Sequence, residues 1–166
     1  MKKHLLTIAA AIGCLTVASA ASAQTCTAFS GLIATKGGSV QGDSCQAGGS
    51  ALAGACSNAE TLNGAGVAIY ELHIPDEASY TITVNTTAFV PWLGYIRGTC
   101  SSNTACIDDV TRSGPGEIFI THSAGDTPPG TYYLIVGGVD VDTPGCGSFT
   151  VNWRITPVEL QSFSIE

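Results

Sequence analysis

Positive charge is scarce in this chain: 166 residues carry six Lys and Arg against thirteen Asp and Glu, and charged residues make up only 11%. A surface this acidic is repelled by phosphate backbones, and the cations beyond the N-terminus (Lys36, Arg97, Arg112, Arg154) are scattered rather than clustered, which argues against a nucleic-acid partner. Anionic membrane surfaces are disfavoured for the same reason. No apolar run approaches the roughly 20 residues that span a bilayer, so no membrane span is expected. No window of helical length shows an apolar stripe of period 3.6, which leaves helices without support. The sequence also lacks a Gly-x-Ser-x-Gly elbow and a His-Glu-x-x-His pair, so it carries neither the common serine-hydrolase nor the zinc-protease signature. Gly64-Ala65-Gly66 has no third glycine and leads into a strand, so it is not read as a dinucleotide site.

What is present begins with an export layout. Lys2 and Lys3 precede an apolar run over 5–17, and small residues ending in Ala21-Ser22-Ala23 follow, which predicts a signal peptide over 1–23 and Gln24 as the mature N-terminus. Ala11-Ile12-Gly13-Cys14 has the outline of a lipoprotein box, but apolar residues continue through Leu15 and Val17 where a lipidated cysteine leads into a polar tether. Cleavage removes Lys2, Lys3, His4 and Cys14, leaving 143 residues with six cysteines and a net charge of −9. That length suits one domain. The destination is secreted or extracellular, with the cell surface and the periplasm included.

An even set of cysteines in an exported chain reads as disulfides, because thiols pair in oxidising compartments. The chain has no Cys-x-x-Cys and no paired zinc-type spacing. Six cysteines permit fifteen connectivities. Pairing neighbours across short loops joins Cys100 to Cys106 and Cys45 to Cys56, and leaves Cys26 for Cys146.

The mature chain then divides by composition. Residues 24–64 are rich in Gly, Ala, Ser and Thr, predicting a loop-dominated segment, with a short strand near 30–35, packed on the domain. Strands are expected over 67–73, 80–84, 92–97, 117–122, 131–137 and 148–155, separated by Gly, Pro, Asp or Ser clusters. Tyr80, Ile82 and Val84 alternate with Thr81 and Thr83, and Phe149, Val151, Trp153 and Ile155 alternate with Thr150, Asn152 and Arg154, the period of half-buried strands. The tail 157–166 alternates weakly and is expected as an edge strand. The pattern predicts an all-β, antiparallel β-sandwich of jelly-roll type, stapled by disulfides.

The order Tyr80-Thr-Ile-Thr-Val84, Gly98-Thr-Cys-Ser-Ser-Asn-Thr-Ala-Cys-Ile-Asp-Asp109, Gly130-Thr-Tyr-Tyr-Leu-Ile-Val136 and Gly147-Ser-Phe-Thr-Val151 resembles the bacterial pre-peptidase C-terminal domain. The resemblance covers 65–156 and implies a jelly-roll-like sandwich of the kind appended to secreted exoenzymes. It departs from that pattern in having no preceding catalytic domain and in the cysteines of 24–64. What it implies is a stand-alone auxiliary or binding module.

Candidate site residues follow from the loops. Asp108 and Asp109 suit calcium, which takes six to eight oxygens from carboxylates and carbonyls, and Asp140 and Asp142 on another loop would add oxygens if the loops meet. Ca²⁺ is thus the one cofactor this reading allows, and the resembled family includes calcium binders; solvated turn carboxylates are the alternative. Among the aromatics, Trp92 is the candidate platform for stacking a sugar ring, whereas Trp153 and one of Tyr132 and Tyr133 belong to the core pattern. His73 and His122 fall at strand ends, where a structural role is the simpler reading. The expected function is a non-enzymatic binding or surface-interaction module for an extracellular polysaccharide or protein. The alternative is a filament or matrix subunit that self-assembles when a terminal segment, the tail after Pro157 or the stretch near Phe29–Ala34, adds a strand to a neighbour.

Overall fold

The computed structural model describes residues 30–33, 36–47, 56, 66–74, 78–100, 106–126, 128–139 and 145–157. They form nine strands: β1 (Gly31–Ile33), β2 (Gly38–Asp43), β3 (Ala68–Ile74), β4 (Ala78–Thr86), β5 (Pro91–Arg97), β6 (Cys106–Thr111), β7 (Gly116–His122), β8 (Gly130–Gly138) and β9 (Ser148–Pro157). Two sheets face each other, one ordered β1-β3-β8-β5-β6 and the other β2-β9-β4-β7. Strands β2 to β9 wind between the sheets as a jelly roll, and every pairing among them is antiparallel. β1 adds to the edge at β3 in parallel.

Alternation builds the core. Tyr80, Ile82 and Val84 on β4, Ile118 and Ile120 on β7, and Phe149, Val151 and Trp153 on β9 turn inward and meet Tyr70, Leu72, Leu93, Tyr95, Tyr132, Leu134 and Val136 of the opposing sheet. The five-stranded sheet is apolar on both faces, since Ile69, Trp92, Ile96 and Ile135 bury on its outer side with Cys56 and Cys100. Strands β3, β5 and β8 therefore read as near-continuous apolar runs rather than alternating ones.

Two strands escaped the sequence pattern for physical reasons. β2 has one large apolar residue, Val40, and two glycines where aromatic rings come close: a side chain at Gly38 would run into Trp153, and one at Gly42 into Tyr70 and Phe149. Those glycines suppress strand propensity while admitting the rings. β6 holds Asp108 and Asp109, residue types depleted in strands, but it is an edge strand, where charge is common. The segment expected to lie on the sandwich thus supplies strands to both sheets. Tail residues 158–166 lie outside the described residues, as does the signal peptide expected over 1–23.

The disulfide pairing differs from the short-loop expectation. Cys45 bonds Cys146 and Cys56 bonds Cys106, with Cα atoms 5.0 and 4.9 Å apart. β2 runs beside β9, so Asp43 opposes Ser148, Ser44 hydrogen-bonds Gly147 just beyond the ladder, and Cys45 and Cys146, two positions past its end, come together. Closeness in the sheet outweighs closeness in sequence. Cys100 is also disulfide-bonded, and Cys26 lies outside the described residues.

Candidate functional site

The outer face of the four-stranded sheet carries the residues that alternate with the core. In register across β7, β4, β9 and β2, one row reads Phe119, Thr83, Asn152, Ser39 and the next Glu117, Asn85, Thr150, Gln41. Each row crosses three inter-strand steps, roughly 14 Å. Asn85 Nδ2 donates to Glu117 Oε2 at 3.4 Å, and the Thr81 and Thr121 hydroxyls lie 3.3 Å apart. Such cross-strand pairs stabilise the pairing of β4 with β7 on this face. Phe119 interrupts this polar surface: it sits between inward-facing Ile118 and Ile120 and is 60% exposed.

At one end the face dips into an open cleft of about 620 Å³ lined by Gln41, Asp43, Asn85, Thr87, Ser148 and Thr150 among others. Hydrogen bonds tie its floor together. Asp43 Oδ1 accepts from the Cys45 amide at 2.9 Å, and its Oδ2 accepts from the Ser148 hydroxyl at 3.4 Å. Thr86, nearly fully buried, donates to the Ser148 carbonyl at 2.8 Å and accepts from the Ala88 amide at 3.1 Å. Ser44, wholly buried, accepts from the Gly147 amide at 3.0 Å, next to the Cys45–Cys146 bond.

A second cluster fills the seam where β6 and β7, the adjoining edges of the two sheets, approach. Tyr95 stacks on Tyr132 with centroids 5.1 Å apart, and Tyr80 stacks on His122, also at 5.1 Å. Burial holds the Tyr95 phenol far above its ordinary range, with the phenols of Tyr80 and Tyr132 adding to the effect. Burial raises Tyr132 as well, opposed by the Arg97 guanidinium over its ring. Its hydroxyl donates to the Pro128 carbonyl.

The sequence-based candidates fall as follows. Trp92 does not present a platform: it is 1% exposed, its indole packs over Gly94, and Nε1 donates to Asp109 Oδ2 at 3.4 Å. Having no side chain, Gly94 leaves the space into which the indole folds down against the sheet. Asp108 and Asp109 stand on strand β6, not a loop, and adjacent strand residues point to opposite faces. Asp109 accordingly meets Trp92 outside the sandwich, while Asp108 Oδ2 lies 3.5 Å from His122 Nε2 at the seam. The pair is therefore split rather than joined on one cation. Asp140 and Asp142 lie outside the described residues. Among the described residues, no three His, Cys, Asp or Glu side chains cluster as a metal set. His73 is exposed on β3.

Sequence reasoning missed Phe119, Asn85 and the rows around them. The available signal was Phe119 itself, an aromatic residue at a position that the Ile118–Ile120 alternation assigns to solvent.

No protein-family model matches the chain, and no curated protein does. Among solved structures it is similar to CorA, a surface-associated copper-binding protein of Methylomicrobium album BG8, at 13% identity and a TM-score of 0.52 over 78% of this chain and 99% of that one. It is also similar to the pre-peptidase C-terminal domain of a collagenase from Bacillus anthracis, at 12% identity and 0.46 over 76% and 96%. A third similar structure is PliG, a periplasmic inhibitor of g-type lysozyme from Aeromonas hydrophila, at 10% identity and 0.46 over 75% and 94%. The second belongs to the family that the Tyr80, Cys100–Asp109 and Gly130 motifs resemble. Identities this low speak to fold alone.

Proposed function

We propose that the chain is an exported, non-enzymatic binding module that holds an extracellular polysaccharide across the outer face of its four-stranded sheet. The observation that carries this reading is Phe119, 60% exposed in an otherwise polar face of in-register Thr, Asn, Gln and Glu side chains. A sugar ring offers an apolar face for stacking and hydroxyls around its rim, so one aromatic among amides, hydroxyls and carboxylates matches both demands. The open cleft beyond Asn85 extends the contact for a chain rather than a single ring. Export is supported by the layout of 1–23 and by disulfides, which persist in oxidising compartments.

The test is co-sedimentation of the mature protein with a panel of insoluble polysaccharides, using wild type and Phe119→Ala. Loss of about tenfold in binding, with an unchanged melting temperature, is the expected result. A Phe119→Ala protein that sediments like wild type removes the face from consideration.

A second reading, assembly by strand exchange, is favoured by β1 alone. It is three residues long, pairs in parallel at a sheet edge, and exposes Leu32 at 77%. A short edge strand is readily replaced by the same strand of another copy. Size-exclusion chromatography decides this: elution as a monomer at all concentrations rejects it.

A further inference from the structure

The cations beyond the N-terminus are scattered in the sequence, but the fold brings two of them to one end of the outer face of the four-stranded sheet. Arg154 on β9 is exposed there, in register with Thr81 of β4, which in turn opposes Thr121 of β7. A side chain at Gly37 would come within 3.1 Å of the Trp153 carbonyl oxygen and 3.6 Å of the Arg154 Cα, so Lys36, the preceding residue, stands at the same end. Arg154 lines a hollow of about 60 Å³ together with Ser79, Thr81, Thr121 and Thr156. These hydroxyls have protons to give. Ser79 Oγ accepts from the Ala124 amide at 3.0 Å, which leaves its own proton for a ligand. Thr81 and Thr121 share one hydrogen bond at 3.3 Å, so one proton of that pair is also left over. Among the described residues no carboxylate pairs with Arg154, the ion pair they form being His122 with Asp108. Glu117, on the same face, is two strands and two register rows away, roughly 17 Å by strand geometry. It already accepts from Asn85, and Asp43 at the far end accepts from the Cys45 amide and the Ser148 hydroxyl.

A guanidinium fork ringed by hydroxyl donors, with no carboxylate beside it, is complementary to an oxyanion. We propose, on the reading of this face as a polysaccharide site, that the Arg154 hollow holds the oxyanion of an acidic sugar, a uronic carboxylate or a sulfate ester, while another ring of the same polymer stacks on Phe119. Arg154 and Phe119 are two strands and one register row apart, roughly 12 Å, a distance that a short run of linked pyranose rings spans. The acidic excess of the chain repels a polyanion at long range. At physiological ionic strength that field is screened beyond about 8 Å, so the fork and its hydroxyls decide recognition locally.

Calorimetric titration of the mature protein at about 0.15 M salt tests this, with soluble polygalacturonate, a sulfated galactan and a neutral glucan as probes. Wild type should bind one of the acidic polymers at least tenfold more tightly than the neutral one, and which of the two it holds tells carboxylate from sulfate. Arg154→Gln, an exposed change, should lose about tenfold for that polymer with an unchanged melting temperature, and Lys36→Gln should lose less. Binding lost in Phe119→Ala but kept in Arg154→Gln leaves the face standing as a sugar site and removes the acidic subsite; binding kept in both variants removes both. Equal affinity for the neutral glucan, or no binding of either acidic polymer, also overturns the proposal.

Discussion

Individual buried polar residues set local stability. Ser44 is wholly buried, and its hydroxyl serves the Gly147 amide across 103 residues of sequence. Ser44→Ala leaves that amide without its partner, at an expected cost of about 1–3 kcal/mol, measurable by urea unfolding. The phenols give a pH dependence. Burial raises the pKa of Tyr70, Tyr95, Tyr132 and Tyr133, so the folded chain keeps protons that unfolded phenols release near pH 10. Their contribution to stability is complete below about pH 10 and is lost as pH rises above it. Tyrosinate absorbance should therefore grow in step with unfolding, and Tyr95→Phe should flatten the alkaline loss. Ionisation finished before any loss of structure would contradict this.

Among the strands, legibility followed how directly each side chain reports its own environment. β4 and β9 were plain in the sequence because one face is core and the other solvent. β3, β5 and β8 showed as apolar runs, since the five-stranded sheet is covered on both sides. β2 was invisible because its glycines serve neighbouring rings rather than their own strand, a fact of packing that no window of β2 contains. The same logic gives an expected outcome: Gly42→Val, favourable by propensity, should destabilise by about 1–3 kcal/mol or more because Tyr70 and Phe149 occupy the space. Asp108 and Asp109 were recognised as notable, but their separation onto two faces depends on β6 being a strand. Phe119 gained its meaning only when β4 and β9 were placed beside β7 in register.

For the whole molecule, the disulfides were the least legible feature, because pairing depends on which strands are neighbours. Cys45–Cys146 spans 101 residues and Cys56–Cys106 spans 50. In the chain-entropy model these closures restrict the unfolded state by about 4.7 and about 4 kcal/mol. Replacing Cys45 and Cys146 together by Ser should accordingly lower stability by up to about 5 kcal/mol, read from the denaturant midpoint. The molecule joins two unlike sheets, one covered by apolar groups on both faces and one leaving a polar face with an exposed aromatic, and the binding function is assigned to the latter. The most direct test is amide chemical-shift mapping of the ¹⁵N-labelled mature protein during titration with soluble oligosaccharides from whichever polysaccharide it sediments with. Perturbations gathered on Gln41, Thr83, Asn85, Phe119 and Thr150 are the expected result, and perturbations confined to the five-stranded sheet would contradict the assignment.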